Sequence, residues 1–299
     1  MNRLYVLSLL LIAVLASCDD KIDLDKLDEP CLVVYSFPAP GDSLDIEVSP
    51  SQSVGRTNRV LEGLSLTCQV NGMAVPVSFV GTENKESHLS VERYRIYCPL
   101  HEGDEVSIHA SADSFPSETS VAIIPSAPDM PELSLDTVYA KGDWYTQIRC
   151  RVKNQPQPEF FAIRVMKLRY WIDDEVKILP AKVETTFEPL LNNYNFGNEG
   201  FNTKNEFYHG FYIFDDTGMP DSAYTLRLNI EESGPTIAYS VQFFALTEDF
   251  YRYLKSLNDI KSNDFYKYGM SFLRPSFSNI IHGVGVLGAY SMVQTDWIK

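Results

Sequence analysis

Short segments in which apolar and polar side chains alternate recur along most of this chain. The clearest are residues 44–48 (LDIEV) and 64–70 (LSLTCQV), and Asn71-Gly72 follows the second as a strong β-hairpin signal. Similar segments, separated by turn residues, cover residues 31–37, 74–80, 94–98, 106–110 and 120–124. We therefore expect residues 31–125 to form an antiparallel β-sandwich of immunoglobulin-like or transthyretin-like size.

A proline-rich segment, residues 126–132, predicts a boundary after this first domain, because proline removes ladder donors and stiffens the chain. Beyond it, strand-like segments continue at residues 145–152, 160–170, 176–179, 207–214, 224–230 and 237–246, and a long loop is expected at residues 189–205. Residues 133–299 are therefore predicted to form a second, larger β-sandwich domain. The fold class is all-β, with two sandwich domains.

One helix is predicted near the C-terminus, at about residues 247–260. Thr247 is a suitable N-cap, and Phe250, Tyr253, Leu254 and Leu257 recur with the spacing of one apolar helix face. A glycine-rich, strand-like stretch at residues 281–298 closes the chain.

The N-terminus indicates the compartment. An apolar run at residues 4–16 follows Arg3 and is too short for a membrane-spanning helix, which needs roughly 20 residues. It leads into Ser17-Cys18, the pattern of a lipoprotein signal peptide, so residues 1–17 are expected to be removed and Cys18 to carry lipid, palmitate included. An ordinary secretory signal with an incidental cysteine is the alternative.

Residues 18–30 are acidic and contain only isolated apolar side chains, which is typical of a flexible tether. Acidic residues directly after the acylated cysteine also look like a surface-export signal, so we expect an outer-membrane lipoprotein at the cell surface. A periplasm-facing lipoprotein with a plain solvated tether is the alternative.

Composition narrows the function classes. The 299 residues carry a net charge of −15 and are 44% hydrophobic, so most of the chain can bury a core. Nucleic-acid binding is not expected, because phosphate contacts need a basic surface.

Four cysteines remain beyond Cys18, namely Cys31, Cys68, Cys98 and Cys150. They allow three disulfide connectivities, and Cys68 with Cys98 is the preferred pair because both lie on strand-like segments of the first domain. Four buried thiols are the alternative.

No catalytic, cofactor or metal motif stands out. The pattern Gly283-x-Gly285-x-x-Gly288 fits the dinucleotide-binding motif formally, but a strand-like run follows it instead of the required helix. We expect these glycines to let a neighbouring backbone or ring approach closely. The histidines, which have no metal-site spacing, are His88, His101, His109, His209 and His282. We predict no enzyme activity, no catalytic residue, no metal and no cofactor.

Aromatic side chains make up 12% of the chain, and most are expected to fill the cores. Tyr251, Tyr266 and Tyr268 are the rings expected to face outward, where they could contact a ligand.

The C-terminal region resembles a known family. The matching residues are 240–246 (SVQFFAL), Tyr251, Tyr253 and Leu254 of the predicted helix, Pro275, 278–280 (SNI) and 283–290 (GVGVLGAY), together with 29–34 (EPCLVV) and 214–216 (FDD). On these the chain resembles the DUF4249 family of Bacteroidota lipoproteins over nearly all of the mature sequence. The resemblance implies a two-part β protein at the outer membrane, often encoded beside TonB-dependent transporters.

Three functions are therefore considered. The leading one is a non-enzymatic accessory protein that contacts a TonB-dependent transporter. The second is a glycan- or peptide-binding module that uses exposed aromatic side chains of the second domain. The third is an envelope hydrolase, which would need histidines and acidic residues to converge in a pocket.

Overall fold

The alternating segments form the strands of two β-sandwiches in the computed structural model. It describes residues 30–52, 61–85, 89–153, 159–170, 175–191, 195–196, 211–219, 223–231, 236–262 and 276–299. Cys31–Lys299 form one compact unit. The predicted signal peptide, Cys18 and nearly all of the acidic tether lie outside the described residues.

Eight strands of the first sandwich precede the proline-rich segment: β1 (Leu32–Ser36), β2 (Gly41–Pro50), β3 (Ser65–Val70), β4 (Met73–Val75), β5 (Val77–Lys85), β6 (Leu89–Leu100), β7 (Glu105–Ser111) and β8 (Glu118–Ile123). One sheet contains β1-β2-β6-β5 and the other has the order β4-β3-β7-β8, all antiparallel. Leu32, Ile46, Ile96 and Val106 pack between the sheets with essentially no exposure. Alternation thus places one face of each sheet in the core.

The predicted hairpin at Asn71-Gly72 is confirmed. These two residues connect β3 to β4, and their φ angles are 52° and 75°. A two-residue turn with positive φ at both positions matches the twist of the paired strands, and Asn and Gly tolerate it best.

Ten further strands follow: β9 (Glu132–Ala140), β10 (Asp143–Lys153), β11 (Phe160–Tyr170), β12 (Val176–Pro180), β13 (Asn195–Phe196), β14 (Phe211–Asp215), β15 (Ala223–Glu231), β16 (Thr236–Leu246), β17 (Val284–Leu287) and β18 (Tyr290–Gln294). Nine of them build the second sandwich. A small sheet, β15-β10-β9, faces a larger sheet, β13-β14-β11-β16-β18, in which β12 also pairs with β11. The predicted all-β class with two sandwiches is confirmed.

The core of the second sandwich is rich in rings. Phe161 stacks on Phe243 with ring centroids 5.1 Å apart and also contacts Phe214. Ile148 and Leu228 of the small sheet close this core from the other side and are fully buried.

The predicted helix is present as α1 (Glu248–Ser262). Thr247 caps it as expected, since its Oγ1 accepts a hydrogen bond from the Phe250 N–H at 3.3 Å. Phe250 and Leu254 are fully buried, so the apolar face packs against the sheets. Within the described part of the chain, no helix combines the length and apolarity needed to cross a membrane.

After α1 the chain returns to the first sandwich, which the sequence did not reveal. β17 pairs in parallel with β1 and adds a fifth strand to that sheet. The sequence-based division placed all of residues 133–299 in the second domain, and for residues 284–287 this is corrected by the pairing. The reason is that β1 offers an open edge that only a segment from elsewhere in the chain can cover. The other proposed domain limits stay a prediction.

The three glycines of residues 283–288 permit this return. A Cβ at Gly285, whose φ is +117°, would overlap the Val34 carbonyl oxygen, and a Cβ at Gly288 would lie 2.8 Å from the Phe250 side chain. The structure thus confirms that these glycines serve close approach, with strand β18 following them instead of a nucleotide-binding helix.

Candidate functional site

The hairpin of β9 and β10 lies at one end of the second sandwich and carries two exposed aromatic side chains. Its turn is Lys141-Gly142, with φ angles of 51° and 94°, which gives a tight two-residue connection. Tyr139 and Trp144 are paired directly across the two strands, and their ring centroids lie 5.2 Å apart with the planes tilted by 54°. They remain 61% and 66% exposed. We call these two side chains the ring pair.

The ring pair belongs to the face of the hairpin that continues into the core. Trp144 has the same parity along β10 as Ile148 and Cys150, which are fully buried. The rings therefore stand where the inner face of the small sheet extends past the end of the sandwich. Both rings are thus exposed although they lie on the core-facing side of the small sheet.

The opposite face of the hairpin tip is braced. Phe187, in the short 3₁₀ turn Thr185–Phe187, packs edge-on against Tyr145 with centroids 5.4 Å apart. The Lys141 ammonium lies 4.8 Å from the centre of the Phe187 ring and donates a hydrogen bond to Thr186 Oγ1 at 2.6 Å. The tip is thus tied to the segment beside it, and the ring pair stands on a supported platform.

The bracing segment is itself fixed to the small sheet. Glu188 is fully buried, and its carboxylate accepts hydrogen bonds from the Arg227 N–H at 2.7 Å and the Tyr224 hydroxyl at 2.7 Å. The Glu184 N–H donates to the Asn229 carbonyl at 2.8 Å. These bonds give both buried carboxyl oxygens of Glu188 a partner and hold the 3₁₀ turn against β15.

A cleft of about 310 Å³ lies between the two sheets of the second sandwich, on the same face of the small sheet as the ring pair. Leu135 and Thr146 line it from the small sheet, and the other side consists of the beginning of β16, from Thr236 to Tyr239, with Lys299. Thr146 lies two residues along β10 from Trp144, about 7 Å at the usual rise of a strand. The ring pair therefore stands next to the cleft on the same face of the hairpin, and we call the ring pair and the cleft together the aromatic cleft.

The outer face of the same hairpin has the opposite character. Arg149 pairs with Asp136 at 2.7 Å and Arg151 with Glu132 at 3.3 Å, all exposed. Such pairs contribute little stability but keep that face soluble. Charge is thus concentrated on one face of the hairpin, while rings, hydroxyls and aliphatic groups occupy the other.

The ligand-contact residues predicted from sequence are not those of the aromatic cleft. Tyr251 is 3% exposed, donates a hydrogen bond to Asp215 Oδ2 at 2.8 Å and packs on Phe160, so the expectation that it faces outward is wrong. The physical reason is that α1 lies on the large sheet, which covers this side of the helix. Tyr266 and Tyr268 lie outside the described residues.

Sequence reasoning missed Tyr139 and Trp144. A usable signal was present, since Lys141-Gly142 is a possible two-residue turn between two alternating segments. The exposure of the rings had no sequence signal, because it depends on where the opposite sheet ends.

The preferred disulfide pair, Cys68 and Cys98, faces one core from opposite sheets, and both are free thiols in this structure. Burial raises the pKa of Cys68 to about 11, and the neighbouring Cys98 adds to this. The two thiols are thus close enough to interact, while the disulfide itself stays a prediction.

Three of the five histidines are described, and all three are exposed. His101 contacts Asp104 at 3.5 Å in the turn between β6 and β7, His109 is on β7, and His282 precedes β17. His88 and His209 lie outside the described residues. Within the described ranges, no three or more His, Cys, Asp or Glu side chains are grouped so that they could hold a metal ion.

The Glu118 carboxyl is buried and has no ion pair among the described residues. Glu118, at the start of β8, is 1% exposed, and its Oε1 accepts a hydrogen bond from the Leu32 N–H at 2.6 Å. Its Oε2 has no hydrogen-bond partner in the described part of the chain. A Cβ at Gly283 would overlap this carboxyl group. Burial raises the pKa of Glu118 to about 8.

These observations define the protein as an all-β chain of two sandwiches with a braced aromatic cleft at one end. A family model described as "Domain of unknown function (DUF4249)" matches residues 19–296. The chain therefore belongs to the DUF4249 family, as the resemblance predicted.

The other comparisons add little. No curated protein matches the chain. Among solved structures it is similar to bovine butyrophilin, with 14% identity over 72% of this chain and 91% of that chain and a TM-score of 0.21. It is also similar to the tandem Ig repeats of Dlar, with 12% identity, 72% and 89% coverage and a TM-score of 0.22. At such TM-scores neither similarity supports an argument about function.

Proposed function

We propose that this protein is a non-enzymatic binding protein, anchored in the outer membrane at the cell surface by lipid on Cys18 and accessory to a TonB-dependent transporter. The anchor rests on the sequence of residues 4–18, and the transporter on the family resemblance. The structural observation that carries a binding role is the exposed ring pair on its braced hairpin.

The ring pair supports a binding role because two aromatic side chains in this exposed position contribute little to the stability of the fold. Burying Tyr and Trp rings is a large source of stability, and these two remain mostly in water. The tip beneath them is nevertheless held by Phe187 and Lys141. A rigid support for exposed rings lowers the entropy cost of binding, which is the arrangement expected of a contact surface.

The test is a pull-down of the full-length chain from detergent-solubilised outer membranes. We expect a barrel transporter to co-purify with the wild type and to be lost, about tenfold or more, with Trp144→Ala. Tyr170→Ala is the matched control, since Tyr170 is also an exposed ring of the second sandwich but lies on β11. Recovery of no barrel protein with the wild type would contradict the proposal.

The anchor has a separate test. Metabolic labelling with a palmitate analogue should mark the wild-type chain and leave Cys18→Ala unlabelled. Cys31→Ala serves as the control, because it removes the next cysteine and should keep the label. Labelling that survives Cys18→Ala would refute the anchor while leaving the binding surface untouched.

A second candidate is a binding module for a glycan or peptide, which the aromatic cleft favours. Its exposed rings replace the predicted Tyr251 as the contact residues. In this case the full-length chain would bind a small ligand without any transporter present.

A further inference from the structure

We infer that the aromatic cleft is a binding site for a neutral oligosaccharide, whose sugar rings stack on Trp144 and Tyr139 while its hydroxyl groups reach the cleft. This inference rests on the proposed binding role of the ring pair and names its ligand class. The argument uses the placement of the rings, the lining of the cleft and the charge around it.

The ring faces are available for stacking. Trp144 and Tyr139 contact each other, are tilted by 54° and stay mostly exposed, so each leaves part of its face open to solvent. A pyranose ring presents C–H groups on one face and hydroxyls around its edge. The flat face of each aromatic ring complements the C–H face of the sugar, since both faces are apolar.

The cleft supplies the polar half of the contact. Thr146 and Thr236 line its two sides with hydroxyl-bearing side chains, and Lys299 adds a basic one. Leu135 and Ile237 lie between them as apolar contacts. Hydroxyls and aliphatic groups side by side suit a ligand whose own surface alternates between C–H and O–H groups. The volume of about 310 Å³ lies at the lower end of the range for small-ligand sites.

Charge favours a neutral ligand. No Asp or Glu side chain lines the described cleft, so a cationic ligand finds no acidic side chain there. The whole chain carries a net charge of −15, which repels polyanions such as acidic polysaccharides.

The geometry also distinguishes an oligosaccharide from a peptide. An extended peptide would pair with β9, which is an edge strand of its sheet among the described residues, in the plane of that sheet. The ring pair stands on the face of that sheet, so strand pairing would leave the exposed rings without a role. Stacking on the face uses both rings and the cleft together.

The experiment measures binding of neutral hexasaccharides of glucose, mannose and xylose by titration calorimetry. It uses the full-length chain in a detergent without a sugar headgroup. We expect at least one hexasaccharide to bind, Trp144→Ala to weaken it about tenfold or more, and Trp144→Phe to stay within about threefold of the wild type because the stack is kept. Tyr170→Ala should bind as the wild type does.

Two results would overturn the inference: no binding of any of these hexasaccharides at millimolar concentration, or binding that Trp144→Ala leaves unchanged. Casein-derived peptides and polygalacturonate are titrated in parallel, and binding of either at the ring pair in place of the hexasaccharides would also refute it. In each of these cases a transporter lost from the Trp144→Ala pull-down would still support the proposed function, so the two failures are distinguishable.

Discussion

The buried carboxyl of Glu118 makes stability depend on pH in a direction that can be worked out. Its pKa is about 8 in the folded chain, against an ordinary value of 4.5, because burial disfavours the charged form. Between these pH values the folded chain keeps a proton that the unfolded chain has lost. The stabilisation from a neutral Glu118 is therefore complete below about pH 4.5 and is lost as the pH rises through about 8.

The magnitude follows from the two pKa values. Each pH unit between them corresponds to about 1.4 kcal/mol, so the free energy of unfolding should fall by up to about 5 kcal/mol from this group alone. Among the described residues no charged group contributes to this shift, which comes from burial and, in the opposite sense, from the Leu32 N–H. Glu105 and His109 on β7 and His282 beside Gly283 are titratable groups on neighbouring elements, and all three are exposed.

The assay is urea denaturation of the wild type and Glu118→Gln at constant ionic strength from pH 5 to pH 9. Glutamine keeps an acceptor for the Leu32 N–H and stays neutral, so the two proteins should be similar near pH 5. The variant should become more stable by about 1.4 kcal/mol per pH unit, up to several kcal/mol at pH 9. Glu105→Gln, an exposed carboxyl on β7, should stay within about 0.5 kcal/mol throughout.

A pH-independent difference between Glu118→Gln and the wild type would refute the reasoning. It would mean that Glu118 is charged in the folded chain, and hence that its second oxygen finds a partner.

Three further changes test other parts of the structure. Gly285→Ala should cost about 3 kcal/mol or more in thermal or urea denaturation, because the added Cβ overlaps the β1 backbone at a positive φ, and a cost below 1 kcal/mol would contradict this. Oxidation should join Cys68 to Cys98 in a disulfide bond, which mass spectrometry of peptides can detect. Cys150 should stay a free thiol that reacts with a thiol label once the protein is unfolded. A disulfide bond that involves Cys150 would count against the pairing. Tyr251→Phe should lower the free energy of unfolding by about 1–2 kcal/mol through its lost hydrogen bond and leave ligand binding unchanged, whereas weakened binding would return Tyr251 to the site.

Local features could be read from the sequence because their physical causes are local. The Asn71-Gly72 hairpin depends on positive φ at two neighbouring residues, and the start of α1 depends on Thr247 and its own first turn. Alternation with a period of two fixed the fold class in the same way. Each of these causes acts within a few residues along the chain.

The candidate site could not be read in this way. Tyr251 and Trp144 are both rings beside apolar segments, yet one is covered by the large sheet and the other extends past the end of the second sandwich. Nothing next to either residue in the sequence distinguishes them, because exposure depends on which distant element lies opposite.

The all-β class, the two sandwiches and the helix could thus be predicted from the sequence, since backbone propensity and alternation act locally. The pairing of β17 with the first sandwich, the burial of Glu118 between Leu32 and Gly283, and the exposure of the ring pair follow only from the folded chain. Each of those outcomes depends on contacts between segments far apart in the chain, and burial, charge and exposure all follow from such contacts.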